Sequence, residues 1–253
     1  MDANRISEQL RLAFRESGLT IWEVASRAEF GVSDVAVALS RTKRPSVDLV
    51  EAVGNALGLE LAFVQAAIQH VVSEPRTVVD EAIAQVAPER LVYPREDWIK
   101  VLALDLEATL ISTAVSAFTR PGLYDFLEAV HGLFDRVVLF TTVPESKVRE
   151  LALVFLQEKS VPPWFVAIEY VRWTGFTKDL NFIPHVTADQ VLLVDDMAQM
   201  VHPGQEGQWV RVRGYEPPFD RYDDELCGVL EVLVDRVVGR KPRDTDLVLS
   251  ECR

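Results

Sequence analysis

Cysteine is scarce in this sequence, and long apolar runs are missing from it. The 253 residues include two cysteines, Cys227 and Cys252, whose spacing is unlike that of metal-ligating clusters. We expect two incidental thiols in a reducing compartment and no disulfide. No apolar stretch approaches the roughly 20 residues of a transmembrane helix, and the N-terminus shows no secretory signal. These absences predict a soluble protein located in the cytoplasm.

Positive charge is also in short supply. Lysine and arginine together number 26 against 39 aspartates and glutamates, which gives a net charge of −13 at pH 7. A protein this acidic repels nucleic acid over long distances, so any DNA binding has to depend on a local basic patch. Apolar residues make up 49% of the chain, which is typical of globular proteins with a substantial core.

The chain divides into two regions with different secondary-structure patterns. Residues 5–72 show short amphipathic helices, whereas residues 99–215 alternate β-rich and helical segments, which is typical of a parallel sheet. We predict an α/β fold class, with a Rossmann-like parallel sheet, flanking helices, no large cap and a small all-α N-terminal domain. The predicted boundaries are 1–72 for the helical domain, 73–98 for a linker with a bridging helix, 99–238 for the α/β domain and 239–253 for a polar tail.

Four helices are predicted in the first region, over 6–16, 21–28, 34–40 and 47–57. Thr20 and Glu23 have the spacing of a capping box at the second helix, and Ser33 is the expected N-cap of the third. The segments LTIWEVA at 19–25, GVS at 31–33, KRPS at 43–46 and ALGL at 56–59 resemble the Cro/cI-type (XRE-like) helix-turn-helix family. The resemblance covers most of residues 5–65.

This resemblance implies that the third helix enters the major groove of DNA. Ser33 and Val37 would then face the bases, while Arg41, Lys43 and Arg44 would contact phosphates. The helix is poor in the side chains that read base edges with two hydrogen bonds. The alternative is that the bundle has kept its fold and contacts a protein or a second copy of the chain. Both a DNA and a protein partner stay open, as does a homodimer.

The second region contains two carboxylates at the end of a buried strand. The apolar run VLAL at 101–104 leads directly into Asp105, and Glu107 follows two residues later. Open α/β folds bind their ligands at the carboxyl ends of their strands. One acid there can attack an electrophile while the other moves a proton, which is the division of labour in covalent phosphoryl transfer.

Other polar residues follow later strands. Thr141 ends the strand at 136–140 and precedes a helix, where free N–H groups favour an anion. Asp195 and Asp196 end the apolar strand at 190–194, and adjacent buried acids require a cation or hydrogen bonds. Mg²⁺ suits a few carboxylates together with water and substrate phosphate. Lys178 lies in a loop, where a lysine is most often exposed, but in this set it adds positive charge to the same sheet edge.

Several segments of the second region resemble one known family. These are TKDL at 177–180, VDDM at 194–197, HPGQ at 202–205, and Arg172-Trp173 ahead of Gly175. They are similar to the NLI-interacting-factor-like (C-terminal-domain-phosphatase-like) branch of the haloacid-dehalogenase-like hydrolases, over about residues 99–215.

The resemblance implies a role for each residue of the set. Asp105 would attack phosphorus and become an aspartyl phosphate, and Glu107 would protonate the leaving group and then activate water. Thr141 would bind phosphoryl oxygens, and Lys178 would neutralise charge. Mg²⁺ would be held by Asp105, the backbone carbonyl of Glu107, and Asp195 or Asp196.

Glu107 departs from the aspartate that this pattern leads us to expect. Its extra methylene moves the carboxyl by roughly 1.5 Å, and a misplacement of about 1 Å can slow a reaction on the order of 100-fold. We therefore predict a Mg²⁺-dependent phosphatase that a helix-turn-helix module targets. The alternative is a weak or inactive regulator that binds a phosphate ligand, a protein partner or DNA.

Short segments at 111–119 and 143–177 leave no room for a large cap, so the predicted substrate is an accessible phosphomonoester on a protein or nucleic-acid end.

Overall fold

Four helices followed by an α/β unit make up the part of the chain that this computed structural model describes, residues 3–59 and 98–239. The helices are α1 (Ala3–Ser17), α2 (Ile21–Ala28), α3 (Val32–Leu39), α4 (Val47–Ala56), α5 (Leu123–Leu133), α6 (Glu145–Gln157) and α7 (Glu225–Val238). The strands are β1 (Val101–Leu104), β2 (Arg136–Leu139), β3 (Glu169–Tyr170), β4 (Val191–Asp195) and β5 (Trp209–Arg211).

The five strands form one parallel sheet in the order β3-β2-β1-β4-β5. Because β1 is central, its residues are buried on both faces, as expected for parallel strands covered on both sides. Leu102 and Leu104 pack with α5, α6 and α7, whereas Val101 and Ala103 pack with the segment around Leu180. The predicted α/β sheet with flanking helices is confirmed.

The predicted helices of the first region are all present, with one change at α3. This helix begins at Val32 with Gly31 as its N-cap, and Asp34 accepts a hydrogen bond from the Gly31 amide. Ser33 therefore lies inside the helix, and its predicted role as N-cap is wrong. Asp34, three residues after the N-cap, thus makes the half of a capping box in which the N3 side chain accepts from the N-cap amide.

Several predictions fall partly or wholly outside the described residues, and the end of the helical domain at 72 is one of them. The bridging helix near 77–87 and almost all of the 73–98 linker lie there, as does the polar tail after Gly239.

The prediction of two free thiols is wrong. Cys252 lies outside the described residues, but Cys227 is disulfide-bonded. Sequence spacing could not reveal this bond because it carries no information on how closely two cysteines approach in the fold.

The N-terminal helices pack onto the α/β unit. Phe14, Ile21 and Leu39 belong to the same apolar core as Leu127 and Val234 of α5 and α7.

No helix in the described part of the chain has both the length and the apolar character needed to cross a membrane.

Candidate active site

The register of the sheet places Asp105 and Asp195 side by side at the carboxyl ends of two neighbouring strands, β1 and β4. Leu104 of β1 pairs with Val194 of β4, and the Asp105 amide donates to the Val194 carbonyl at 3.0 Å. The residue after each of these partners is therefore an aspartate. Both carboxylates are almost fully buried, so the carboxyl edge of the sheet holds two acids away from bulk water.

Lys178 lies between these two carboxylates. Its Nζ donates to Asp105 Oδ1 at 2.6 Å and to Asp195 Oδ2 at 2.5 Å, and the residue is 1% exposed. The Lys178 amide donates to the Met200 carbonyl at 2.7 Å, which fixes the backbone of its loop. Most loop lysines are exposed to solvent, but Lys178 is not. The buried ammonium balances charge that two neighbouring carboxylates would otherwise carry unpaired.

Two of the segments that carry the family resemblance contact each other beneath Lys178. Thr177 Oγ1 and His202 Nδ1 share a hydrogen bond of 2.9 Å. Gln205 donates from Nε2 to Asp179 at 2.7 Å and accepts at Oε1 from the Leu180 amide at 2.9 Å. TKDL and HPGQ thus form one hydrogen-bonded unit, and that unit positions the lysine.

Asp196 completes a group of three acids. Ligand oxygens of Asp105, Asp195 and Asp196 all lie within 4.8 Å of one another. Burial raises the pKa of Asp195 to about 6 despite the opposing charge of Lys178. Burial and then the Asp105 charge raise the pKa of Asp196. An additional cation would relieve this unfavourable crowding of negative charge.

These three acids fit a divalent metal ion. The donors of these three residues are carboxylate oxygens, which hard divalent cations prefer. Thr109 supports the group, because its hydroxyl lies 3.3 Å from Asp105 Oδ2 and 3.4 Å from Asp196 Oδ1. Sequence reasoning assigned no role to Thr109.

Glu107 is half-buried and turned toward the loop at 113–116. Its Oε1 accepts a hydrogen bond from the Ala114 amide at 2.6 Å. The following residue, Ala108, has φ of +56°, a left-handed conformation that favours glycine and costs an alanine about 1 kcal/mol. The segment after β1 is therefore unusual in two ways, in the contact of the Glu107 side chain and in the backbone of the residue that follows it.

Thr141 follows β2 at the same sheet edge and is fully buried. Its Oγ1 accepts from the Val143 amide at 3.3 Å, and its carbonyl accepts from the Trp173 indole at 3.0 Å. A groove of about 420 Å³ next to it is lined by Thr142, Tyr170, Arg172, Trp173, Thr174 and Gly175. Thr141 thus lines an open groove at the same sheet edge as the acid group.

Tryptophans hold the backbone at two strand ends. Trp173 binds the Thr141 carbonyl, and Trp209 donates from its indole to the Asp195 carbonyl at 2.8 Å. The sequence predicts four aromatic residues near the rim of the site, with core packing as the expected role of at least half of them: Trp164, Tyr170, Trp173 and Trp209. The hydrogen bonds give Trp173 and Trp209 a positioning role in addition to packing.

Sequence reasoning missed a buried ion pair that braces the segment after β1. Arg120 is 1% exposed and binds both carboxylate oxygens of Asp223, at 2.7 and 2.9 Å. It also donates to the carbonyls of Thr109 and Arg213. Burial alone would raise the pKa of Asp223, but hydrogen bonds from Arg120 hold it below its usual value. The one sequence signal was an arginine ahead of Pro-Gly, which does not reveal a partner 103 residues away.

The residues predicted to bind DNA lie away from this edge. Ser33 and Val37 of α3 are half-buried, as are Arg41 and Lys43, while Arg44 is exposed. Ser33 and Val37 lie against Gly132 of α5. The structure therefore brings together Asp105, Lys178, Asp195 and Asp196, with Thr141 and Glu107 at the same edge, and keeps the predicted DNA-binding residues apart from them.

The fold and this sheet edge define a class of enzyme: a parallel α/β domain that carries acids and a buried lysine at the carboxyl ends of its strands. The family of NLI interacting factor-like phosphatases matches residues 100–243, more than half of the chain. The chain therefore belongs to the NLI interacting factor-like phosphatases, and it is a phosphoric monoester hydrolase. No curated protein matches the sequence.

Proposed function

We propose that this protein is a Mg²⁺-dependent phosphatase that works through a phosphorylated Asp105. The observation that carries the proposal is the buried contact of Lys178 with both Asp105 and Asp195. A lysine and a metal-binding acid beside a nucleophilic carboxylate supply the positive charge that a transferring phosphoryl group requires. The family and the group of three acids support the same function.

In the first step, an Asp105 oxygen attacks phosphorus and the bond to the leaving oxygen breaks. Glu107 gives its proton to that oxygen. In the second step, Glu107 takes a proton from water, the water oxygen attacks phosphorus, and the bond to Asp105 breaks to release phosphate. Thr141 would bind phosphoryl oxygens, while Lys178 would offset their charge.

The metal would be held by Asp105, Asp195 or Asp196 and the backbone carbonyl of Glu107. When bound, Mg²⁺ supplies charge stabilisation and orientation for the phosphoryl oxygens. The hard carboxylate donors support magnesium over softer metals.

The substrate we propose is a phosphomonoester on a macromolecule, either a protein side chain or a nucleic-acid end. Within the described residues, the segment after β1 folds into a short turn paired between Ile111 and Thr119 and forms no cap domain. The groove beside Thr141 is open to solvent and includes Tyr170, Trp173 and Arg172. An open groove accommodates an extended chain more readily than a small metabolite, which needs a lid to bury it. The predicted cytoplasmic location and homodimer stay predictions.

Turnover is expected to require Mg²⁺. Protein treated with EDTA should lose hydrolysis of a generic aryl phosphate, and added Mg²⁺ should restore it. Asp195→Asn should need at least about tenfold more Mg²⁺ for half of its maximal rate, because one anionic ligand is lost. Asp125→Asn, an exposed change on α5, is the matched control and should behave as the native protein. Full activity in EDTA would contradict the metal requirement.

A second candidate function is a slow or inactive phosphate-binding regulator. The observation that favours it is the 2.6 Å hydrogen bond from Ala114 to Glu107, which engages the carboxylate needed for proton transfer. This candidate predicts that beryllofluoride with Mg²⁺ raises the melting temperature while turnover is absent at every pH.

Glu107→Gln separates the two candidates. Glutamine keeps the length and the oxygen that accepts from Ala114, but it cannot donate or take up the proton. If Glu107 is the acid and base, kcat should fall about 100-fold or more, while phosphate-analogue binding is retained. Glu107→Asp should keep kcat within about tenfold, because it places at 107 the shorter carboxylate that the sequence pattern leads us to expect. Unchanged kcat in Glu107→Gln would remove the proton-transfer role.

A further inference from the structure

Helix α3 of the N-terminal bundle is covered on more than one side. Val35, Ala36, Ala38 and Leu39 are buried, and Asp34 is exposed. A helix that reads DNA in the major groove needs one open face for its base-contacting side chains. In α3 that face packs against α5 of the phosphatase domain, more extensively than α3 packs against any one helix of the bundle.

The two helices approach most closely at Gly132, near the end of α5. A Cβ atom at this position would lie 3.0 Å from the Ser33 carbonyl oxygen and 3.1 Å from Val37 Cγ2. Both distances are shorter than ordinary contacts, so the interface is packed as tightly as a protein interior. Ser33 and Val37 are the residues predicted to face the bases, and in the fold they face α5.

Polar contacts fix this arrangement at two further points. The fully buried Glu231 of α7 accepts a hydrogen bond of 2.9 Å from the amide of Ile21, the first residue of α2. A carboxylate there satisfies a free N–H and interacts favourably with the helix dipole. Just after α3, the Thr42 hydroxyl donates to Asp135. The bundle is therefore attached through α2, α3 and the turn that follows.

The basic residues after α3 also lie beside the phosphatase domain. Burial lowers the pKa of His131 in α5, and the charge of Lys43 lowers it further, so Lys43 is close to that helix. The Arg41 guanidinium lies 5.6 Å from the centre of a Trp98 ring. Arg41 and Lys43 belong to the local basic patch that DNA binding would need. Both side chains thus approach residues of the same chain.

We propose that the α3 surface is an interaction surface whose partner is α5 of the same chain. The helix that would read DNA in a free bundle instead braces α5, which covers the sheet beneath the active site. The bundle and the phosphatase domain share one apolar core and unfold together. Duplex DNA does not bind through α3.

The test is thermal unfolding of the full chain with a glycine-to-leucine change inside or outside the interface. Gly132→Leu forces a side chain between α3 and α5 and should lower the melting temperature by roughly 5 °C or more, or split the transition in two. Gly207→Leu is the matched control, because no atom lies within 4 Å of a Cβ built there. Its melting temperature should stay within about 1 °C of the native value.

A milder variant keeps the test informative if the leucine variant does not fold. Helix propensity alone favours alanine over glycine, so Gly132→Ala would be stabilising or neutral on a free helix. At the packed interface it should lower the melting temperature, and adding Val37→Ala should recover part of the loss by removing one clashing methyl group. A higher melting temperature in Gly132→Ala would overturn the proposal.

Duplex binding gives an independent outcome. The native chain should leave the fluorescence anisotropy of a labelled 20-base-pair duplex unchanged at low salt. Binding that is lost in Arg41→Ala/Lys43→Ala, with the melting temperature unchanged, would place α3 on DNA and overturn the proposal.

Discussion

Replacing Asp105 with asparagine is expected to reduce kcat for an aryl phosphate on the order of 10³-fold or more, because the proposed nucleophile of the first step is lost. Asparagine has the same shape, and its oxygen can still accept a hydrogen bond from Lys178, which lies 2.6 Å from Asp105 Oδ1. The change therefore removes charge and nucleophilicity with little effect on packing. Steady-state hydrolysis with Mg²⁺ measures the loss.

A second readout shows whether Asp105 carries the phosphoryl group. Acid-quenched native protein incubated with a ³²P-labelled phosphomonoester should retain label that hydroxylamine releases, and Asp105→Asn should retain none. Asp125→Asn serves again as control and should match the native protein in both assays. Equal rates in Asp105→Asn and the native chain would refute the catalytic role of Asp105, whatever the metal dependence.

The positions of Asp105 and Asp195 could be predicted from the sequence alone. Each follows an uninterrupted apolar run, and parallel strands buried on both faces have that pattern. Once both runs are strands of one parallel sheet, their carboxyl ends must meet at one edge. The burial of β1 and β4 and the pairing of Leu104 with Val194 agree with this reasoning.

The contact of Lys178 with these acids required the family resemblance. A loop lysine has no periodic pattern, and 73 residues separate it from Asp105. The Arg120–Asp223 pair was unpredictable for the same reason, because long-range ion pairs leave no local signal. Side-chain direction is a further limit: nothing in the residues at 105–110 indicates that Glu107 accepts from Ala114.

The N-terminal region shows a different limit of sequence reasoning. Helix order and capping at Thr20 follow from local chemistry, and the structure has the capping box. Which face of α3 is free depends on the surface of the α/β unit, and the sequence of the bundle does not contain that information. The reason for a glycine at 132 becomes clear only in the structure, where Val37 lies against it.

Lys178→Met is expected to reduce both stability and activity. The ammonium is 1% exposed and contacts two carboxylates, so its removal leaves two buried acids without their shared cation. Breaking such a buried pair costs about 3–5 kcal/mol in the free energy of unfolding. A chain of this size should then melt on the order of 10 °C lower. The rate with Mg²⁺ should fall at least about 100-fold, because charge stabilisation of the phosphoryl group is lost.

The stability loss should depend on pH in a defined direction. The pKa of Asp195 is already raised to about 6 by burial, and Lys178 opposes that rise. Without the lysine, the folded-state pKa rises further above the unfolded value, so folding takes up a proton. The stabilisation from that proton is fully present below about pH 4 and is lost as the pH rises through the folded-state pKa. The destabilisation of Lys178→Met relative to the native protein should therefore be largest near pH 8 and smaller at pH 5.

Lys147→Met is the matched control for this experiment. Lys147 pairs with Glu150 on the outside of α6, and its side chain is 45% exposed, so its removal should change stability by less than about 1 kcal/mol at either pH. Urea unfolding of the native chain and both variants at pH 5 and pH 8, without metal, gives the six free energies needed. Equal stability of Lys178→Met and the native protein at pH 8 would mean that the lysine does not neutralise these acids. A loss that grew toward pH 5 would contradict the raised pKa of Asp195, because protonation of that carboxyl must replace the missing positive charge.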